Sequence, residues 1–289
     1  KGRAAAESKP GQFGELVARI KPGDEATLIY TSGTTGVPKG VILTHDNLIS
    51  NIKTAAALIE FTEKDTALSF LPLSHILERM VMFTYIYKGT TIAYAESVEA
   101  VAKNLLEVRP HLMVSVPRVF EKIYTKVMDQ VLASPSLRRK IFFWALKVGK
   151  AYGAAKLAGK PVSGGLRFRQ SVAAKLVFSK IVAKTGGRVR LFVSGGAPLS
   201  KDIAEFFYAI GLVILEGYGL TETSPLLSIN TFEHIRLGTV GKPGPGIDIK
   251  IASDGEIPIF GEAAPHPRSY GTFARVLGLY VRERKVLTL

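Results

Sequence analysis

Four short runs combine residue types and spacings that could handle a phosphorylated substrate. The first is Tyr30-Thr31-Ser32-Gly33-Thr34-Thr35-Gly36-Val37-Pro38-Lys39-Gly40. Glycines let a backbone approach a phosphate closely, and successive N–H groups then form an anion-binding nest. Ser32, Thr34 and Thr35 add hydroxyl donors, and Lys39 adds a cation on a flexible stem. The run departs from the GxxxxGK[ST] phosphate loop, because Gly40 rather than Ser or Thr follows Lys39. On composition alone, an ordinary Gly/Thr turn accounts for it equally well. The second run is Glu216-Gly217-Tyr218-Gly219-Leu220-Thr221-Glu222-Thr223-Ser224. Glu222 offers a hard oxygen suited to Mg²⁺, Thr221 can donate to a phosphate, and Tyr218 can stack on a base. Alone the signal is weak, since a Glu in a loop is usually solvated. The third run, Ser194-Gly195-Gly196-Ala197-Pro198-Leu199, reads as a tight strand-to-helix turn whose small residues admit a flat ring. A plain helix start is the competing account, because Pro198 suits a first helical turn. The fourth, Leu71-Pro72-Leu73-Ser74-His75, carries a histidine, and a lone histidine is more often structural than catalytic.

These runs need elements to hold them. Ala26–Thr31 reads as a buried strand, and Thr44-His45-Asp46-Asn47 as the N-cap of a helix through Leu48, Ile49 and Ile52. Strands are predicted at 65–72, 90–94, 112–117, 189–193 and 212–216. Between them lie helices at 76–87, 98–108 and 199–210, with Val101, Leu105 and Val108 on one face of the second. This alternation predicts an α/β fold of mainly parallel sheets with flanking helices. The middle departs from the rhythm. From Val119 to Lys184 two or three basic helices are expected. Leu137, Ile141, Ala145 and Val148 would form one stripe there, and Phe142, Phe143, Trp144 and Phe168 would belong to the core.

Composition sets the outer limits. The chain has 289 residues, 47% hydrophobic and 21% charged, which excludes disorder over most of its length. Lys and Arg total 38 against 24 Asp and Glu, a net charge of +14, which favours anionic partners without naming one. With no cysteine, disulfides and thiolate metal sites are excluded, and a reducing cytosolic address is permitted. No stretch has the apolar length of a membrane span. A nucleic-acid binder would need aromatics interleaved with the cations, and the aromatics here fall at helical spacing, so no nucleic acid is expected. A basic amphipathic surface that meets acyl substrates and anionic lipid is the more natural use of the charge. The expectation is a cytoplasmic protein, with peripheral membrane contact as an option open to it.

The run Thr31 to Gly40 resembles the phosphate-loop signature of the acyl-adenylate-forming (AMP-binding) superfamily, which includes acyl-CoA synthetases, luciferases and peptide-synthetase adenylation domains. The match is continuous and specific. Glu216 to Ser224 resembles the same superfamily's second core motif, whose Tyr-Gly-x-Thr-Glu binds AMP and magnesium. The two occur in the family's order. Pro117-Arg118-Val119-Phe120-Glu121-Lys122-Ile123-Tyr124, the basic segment at about 119–187 and Gly238-Thr239-Val240-Gly241-Lys242-Pro243 resemble the long-chain fatty acyl-CoA synthetase branch. The resemblance covers about Asp24 to Ile251. It implies ATP, Mg²⁺ and CoA as cofactor and substrates, and a fatty acid as the acyl donor. It implies nucleotide contacts at Thr31, Ser32, Gly33, Thr34, Thr35, Gly36, Gly195, Gly196, Ala197, Glu216, Gly217, Tyr218 and Gly219. It implies catalytic roles for Lys39, Thr221, Glu222 and His75, with Glu222 also the metal ligand.

The resemblance weakens after Ile251. The family continues with a Thr-Gly-Asp motif, a hinge and a small C-terminal lid domain bearing a catalytic lysine, and none of these is found here. The expected division is therefore a partial AMP-binding domain at 1–252 and a divergent or foreign tail at 253–289. That tail, from Ser253-Asp254-Gly255 through Arg282-Glu283, is similar to the end of metal-dependent N-acyl-D-amino-acid deacylases, in which the Asp matching Asp254 is catalytic. The rival to a ligase is a catalytically incomplete ATP- or AMP-binding module.

Overall fold

The computed structural model of the chain describes residues 2–31, 39–250 and 259–261. Two short helices come first, α1 (Gly2–Ser8) and α2 (Gln12–Arg19). Strands β1 (Glu25–Thr31) and β2 (Lys39–Thr44) then pair antiparallel as a two-stranded hairpin separate from the main sheet. Here the structure corrects the expected buried strand. Ile29 is buried, whereas Leu28 and Tyr30 are exposed. Among the described residues the hairpin is covered on one face, where Ile29, Val41 and Leu43 meet Leu48 and Ile52 of α3 (His45–Leu58) and Ile76 and Met80 of α4 (Ile76–Lys88). Thr44 caps α3 as predicted. Its Oγ1 accepts from the Asn47 amide at 3.2 Å, while Asn47 Oδ1 accepts from the Thr44 amide at 3.1 Å, a closed capping box.

The main sheet has β3 (Thr66–Ser69), β4 (Thr91–Tyr94), β5 (Leu112–Ser115), β6 (Leu191–Ser194), β7 (Ile214–Gly219), β8 (Leu226–Ile229) and β9 (Lys242–Pro243). Their spatial order is β4-β3-β5-β6-β7-β8-β9. The strands from β4 to β7 are parallel, and β8 and β9 are added antiparallel, so the mainly parallel α/β fold is as expected. Every residue of β5 and β6 is buried. A strand covered on both faces must be apolar throughout, which is why Leu112-Met113-Val114 and Leu191-Phe192-Val193 do not alternate. Met113, Phe192 and Ile214 enter one core with α5 (Val101–Val108), α6 (Pro117–Leu132), α7 (Ser136–Leu157) and α10 (Lys201–Ala209). Leu112, Val114, Leu191, Val193 and Leu215 enter the other, with Phe61, Tyr85 and Ile229.

The basic middle forms α6, α7, α8 (Gly164–Ala173), a π-helical turn at Ala174–Phe178, and α9 (Ser179–Ala183). Helix α7 seats on α10 through two glycines. A Cβ at Gly149 would lie 2.6 Å from the Ala209 carbonyl oxygen, and one at Gly153 would lie 2.9 Å from Tyr208 Cδ1. The stripe expected on α7 is only half right. Ala145 and Val148 are buried with Phe142, but Leu137 and Ile141 are exposed. Phe143, Trp144 and Phe168, expected in the core, are exposed as well. Among the described residues, the buried positions of α7 are Phe142, Ala145, Val148, Gly149 and Gly153, so the apolar character of the helix extends beyond its buried side. Strand β10 (Ile247–Ile249) pairs with β11 (Ile259–Gly261). Asp254 and the rest of 251–258 and 262–289 lie outside the described residues.

Candidate functional site

Strands β6 and β7 run parallel with Ser194 opposite Glu216, so the turn after β6 leaves the carboxyl edge of the sheet where β7 continues for three more residues, Gly217 to Gly219. Open α/β sheets place ligands at this edge. On the β6 side, the Gly195 amide donates to the Ser115 carbonyl at 3.1 Å. Gly196 has φ +80, a left-handed conformation that favours glycine. Gly196 and Ala197 are exposed at the mouth of the turn. A Cβ built on Gly195 would touch the side chain of Leu77 at 3.4 Å, which puts the start of α4 against this turn. His75 is the N-cap of α4. Its Nδ1 accepts from the Leu77 amide at 3.2 Å, and the side chain is exposed. The structure thus brings His75 and Gly195 into one neighbourhood.

On the β7 side, Gly217, Tyr218 and Gly219 pair with β8, and a 3₁₀ turn at Thr221–Thr223 follows. Gly219 admits no other residue, because a Cβ there would lie 1.5 Å from the Pro225 carbonyl oxygen. Tyr218 is half-buried against Leu227 and Ile247, and burial, then the Glu222 carboxylate, pushes its phenol pKa up. Thr221 and Glu222 are half-exposed. Glu216 faces inward. It is buried, its Oε1 accepts from the Gly238 amide at 3.3 Å, and its carbonyl accepts from the Asn230 amide at 2.9 Å. These contacts brace the segment after β8 against β7.

The hairpin reaches the same edge. Strand β2 touches the 3₁₀ turn, and Thr31 and Lys39 are cross-strand partners at the end of the hairpin where the chain passes from β1 to β2. Ser32, Gly33, Thr34, Thr35 and Gly36 lie outside the described residues, and their attachment points are fixed by that pair.

Two residues with no signal in their own neighbourhood also shape the site. Asn51 on α3 is buried, and its Nδ2 donates to the carbonyls of Leu226 (2.9 Å) and Thr223 (3.3 Å) while its Oδ1 accepts from the Leu226 amide at 3.1 Å. It ties the exit of the Thr221–Thr223 turn to the helix that follows the hairpin. Glu78 on α4 is also buried and shares a hydrogen bond with Ser69, the last residue of β3. That bond closes the loop carrying His75. Burial lifts the Glu78 carboxyl to about 7, against the pull of the Ser69 hydroxyl.

Among the described residues, no three His, Asp or Glu side chains gather as a metal cage. A magnesium ion usually takes one or two carboxylates and completes its shell with water and substrate phosphates. A single half-exposed carboxylate at Glu222, beside a turn open to a phosphate chain, fits that mode.

A family model described as "AMP-binding enzyme" matches residues 2–263. Long-chain-fatty-acid–CoA ligase FadD15 of Mycobacterium bovis is 38% identical over 260 residues, covering 89% of this chain and 43% of that protein. The peroxisomal long chain acyl-CoA synthetase 6 of Arabidopsis thaliana is 37% identical over 250 residues, covering 86% and 34%. The chain therefore spans less than half the length of either relative. Among solved structures, ATP-bound MatB from Rhodopseudomonas palustris superposes with a TM-score of 0.59 at 25% identity, covering 85% of this chain and 41% of that one. The N-terminal domain of FACL13 from Mycobacterium tuberculosis superposes with the same TM-score at 19% identity, covering 86% and 52%, a likeness of fold. With a mainly parallel sheet of this order and a family match that spans most of its length, the chain belongs to the AMP-binding enzymes.

Proposed function

We propose that this chain carries the nucleotide-binding part of an enzyme that activates a long-chain fatty acid with ATP and hands it to CoA. The observation behind this reading is the pairing of Ser194 with Glu216, which puts the Gly195–Ala197 turn at the same sheet edge from which β7 runs on through Tyr218 into the Thr221–Thr223 turn. The adenine ring would lie along Gly195, Gly196 and Ala197, with Tyr218 as its stacking partner. The phosphates would meet Thr221, Lys39 and the run from Thr31 to Gly36. In the first half-reaction the fatty-acid carboxylate oxygen forms a bond to the α-phosphorus and the bond to pyrophosphate breaks. In the second the CoA sulfur bonds to the acyl carbon, its proton is lost, and AMP leaves with the electrons of the broken acyl–oxygen bond. The protein's share of both steps is positioning and charge stabilisation. When bound, Mg²⁺ would draw charge from the phosphate oxygens, and Glu222 would hold it. His75, at the N-cap beside Gly195, would border the acyl and thiol groups.

The test is ATP–pyrophosphate exchange with carboxylic acids of graded chain length. Exchange that rises with long-chain acids supports the reading. AMP binding without exchange for any acid would instead make the chain a nucleotide-binding module.

A further inference from the structure

The charge of this protein is concentrated in one stretch. Between Asp129 and Asp202 there are fifteen Lys and Arg and no Asp or Glu, whereas the rest of the chain is close to neutral. That stretch contains α7, α8 and α9. Helix α7 buries one side, Phe142, Ala145, Val148 and Gly149, in the core. Beside that side runs a second apolar stripe that faces water. Leu137 is 67% exposed, Ile141 37% and Trp144 40%, and they recur at i, i+4 and i+7. Lys140 and Lys147 stand four residues before Trp144 and three after it, so they flank the stripe on the same side. On α8, the helix packed against α7, Phe168 is 71% exposed between Arg167 and Arg169.

Exposed Trp, Phe, Leu and Ile in such numbers cost solubility, and helices with no carboxylate of their own lack the usual means of offsetting it. Both features suit an interface between water and lipid. There the aliphatic residues enter the acyl boundary, Trp sits at headgroup depth, and Lys and Arg extend to anionic headgroups. Bases can stack on Trp144 and Phe168 but have no use for Leu137 and Ile141, so the aliphatic share of the stripe favours lipid over nucleic acid.

We propose that the first half of α7, together with α8, is a docking surface for an anionic lipid bilayer, with Trp144 at the headgroup boundary. This does not depend on the catalytic reading, and its test needs no turnover.

Trp144 is the only tryptophan in the sequence, so emission from the full chain reports this surface alone. Phosphatidylglycerol vesicles are expected to shift the emission to the blue, and brominated lipid in the same vesicles to quench it. Phosphatidylcholine vesicles should do neither, and added salt should weaken both effects. Leu137→Glu with Ile141→Glu, at exposed positions, should keep the melting temperature and lose the shift. Lys140→Ala and Lys147→Ala should each weaken vesicle partition about five-fold. The proposal is overturned by an unchanged spectrum with phosphatidylglycerol vesicles, by vesicle binding that leaves Trp144 unquenched, or by a shift with an oligonucleotide and none with vesicles.

Discussion

The carboxamide of Asn51 holds Leu226 by both of its backbone groups, donating to its carbonyl at 2.9 Å and accepting from its amide at 3.1 Å. A side chain on α3 thus substitutes for a strand where β8 leaves the 3₁₀ turn. Replacing Asn51 with Ala would leave those groups and the Thr223 carbonyl without partners in a buried place. We expect a loss of about 1–3 kcal/mol in denaturant melts. Because the turn bears Thr221 and Glu222, the apparent Km for Mg·ATP in pyrophosphate exchange should also rise. Unchanged stability and Km would show that the clamp is idle.

Glu222 is the one carboxylate on the turn, half-exposed and near enough to Tyr218 to raise its phenol. Glu222→Ala is expected to abolish Mg·ATP-dependent adenylate formation in the enzyme while leaving the melting temperature nearly unchanged. Near-normal pyrophosphate release would remove Glu222 from that role.

The buried carboxyl of Glu78 gives a pH signature. Its folded pKa of about 7 lies above the ordinary glutamate value of 4.5, so the folded state holds the proton more tightly than the unfolded chain. The resulting stability is fully present below pH 4.5 and is lost as pH rises through about 7, to the extent of about 3 kcal/mol. Glu78→Gln keeps a neutral partner for Ser69 and should flatten this part of the profile. The difference in unfolding free energy between the two proteins should grow in favour of Gln from pH 4.5 to about 7 and then level off. A constant difference would mean that Glu78 stays ionised.

Gly219 should tolerate no side chain. A Cβ would overlap the Pro225 carbonyl, and the atom in the way is backbone, so relief requires β7 and β8 to part. Gly219→Ala is expected to cost on the order of 3 kcal/mol or more. Gly187→Ala offers a control: it keeps the strain of a left-handed φ of +72 but has nothing within 4 Å of the new carbon, so it should cost less. Thermal melts of both compare overlap with backbone strain alone.

The sequence carried the sheet because β5 and β6 are covered on both faces and so are apolar without interruption. It carried the cap at Thr44 because a capping box is a local event spanning four residues, Thr44 to Asn47. It misled at β1, where an apolar run belongs to a hairpin with one covered face, and on α7, where apolar residues extend beyond the buried side. Asn51 was illegible because its partners lie more than 170 residues away, and nothing near it distinguishes it from a solvated helix position. Glu78 was hidden inside a run expected as apolar helix. The turn motifs were weak on residue types alone and became legible through the family resemblance, while their glycines answer to local geometry, as the left-handed Gly196 and the crowded Gly219 show.

The glycine seat between α7 and α10 bears on how the chain reaches its fold. Strands β5 and β6 are hydrogen-bonded neighbours, yet the chain leaves at Ser115 and returns only at Leu191. Closing an excursion of that length costs about 4 kcal/mol of chain entropy before any ladder bond forms, and such distant pairing slows folding. Helix α10 follows β6 directly, so once it lies against Gly149 and Gly153 the strand is delivered to its place. A bulky residue at either glycine should hasten unfolding; slowed refolding as well would make this seat part of the folding nucleus, and unchanged refolding would make it a late contact.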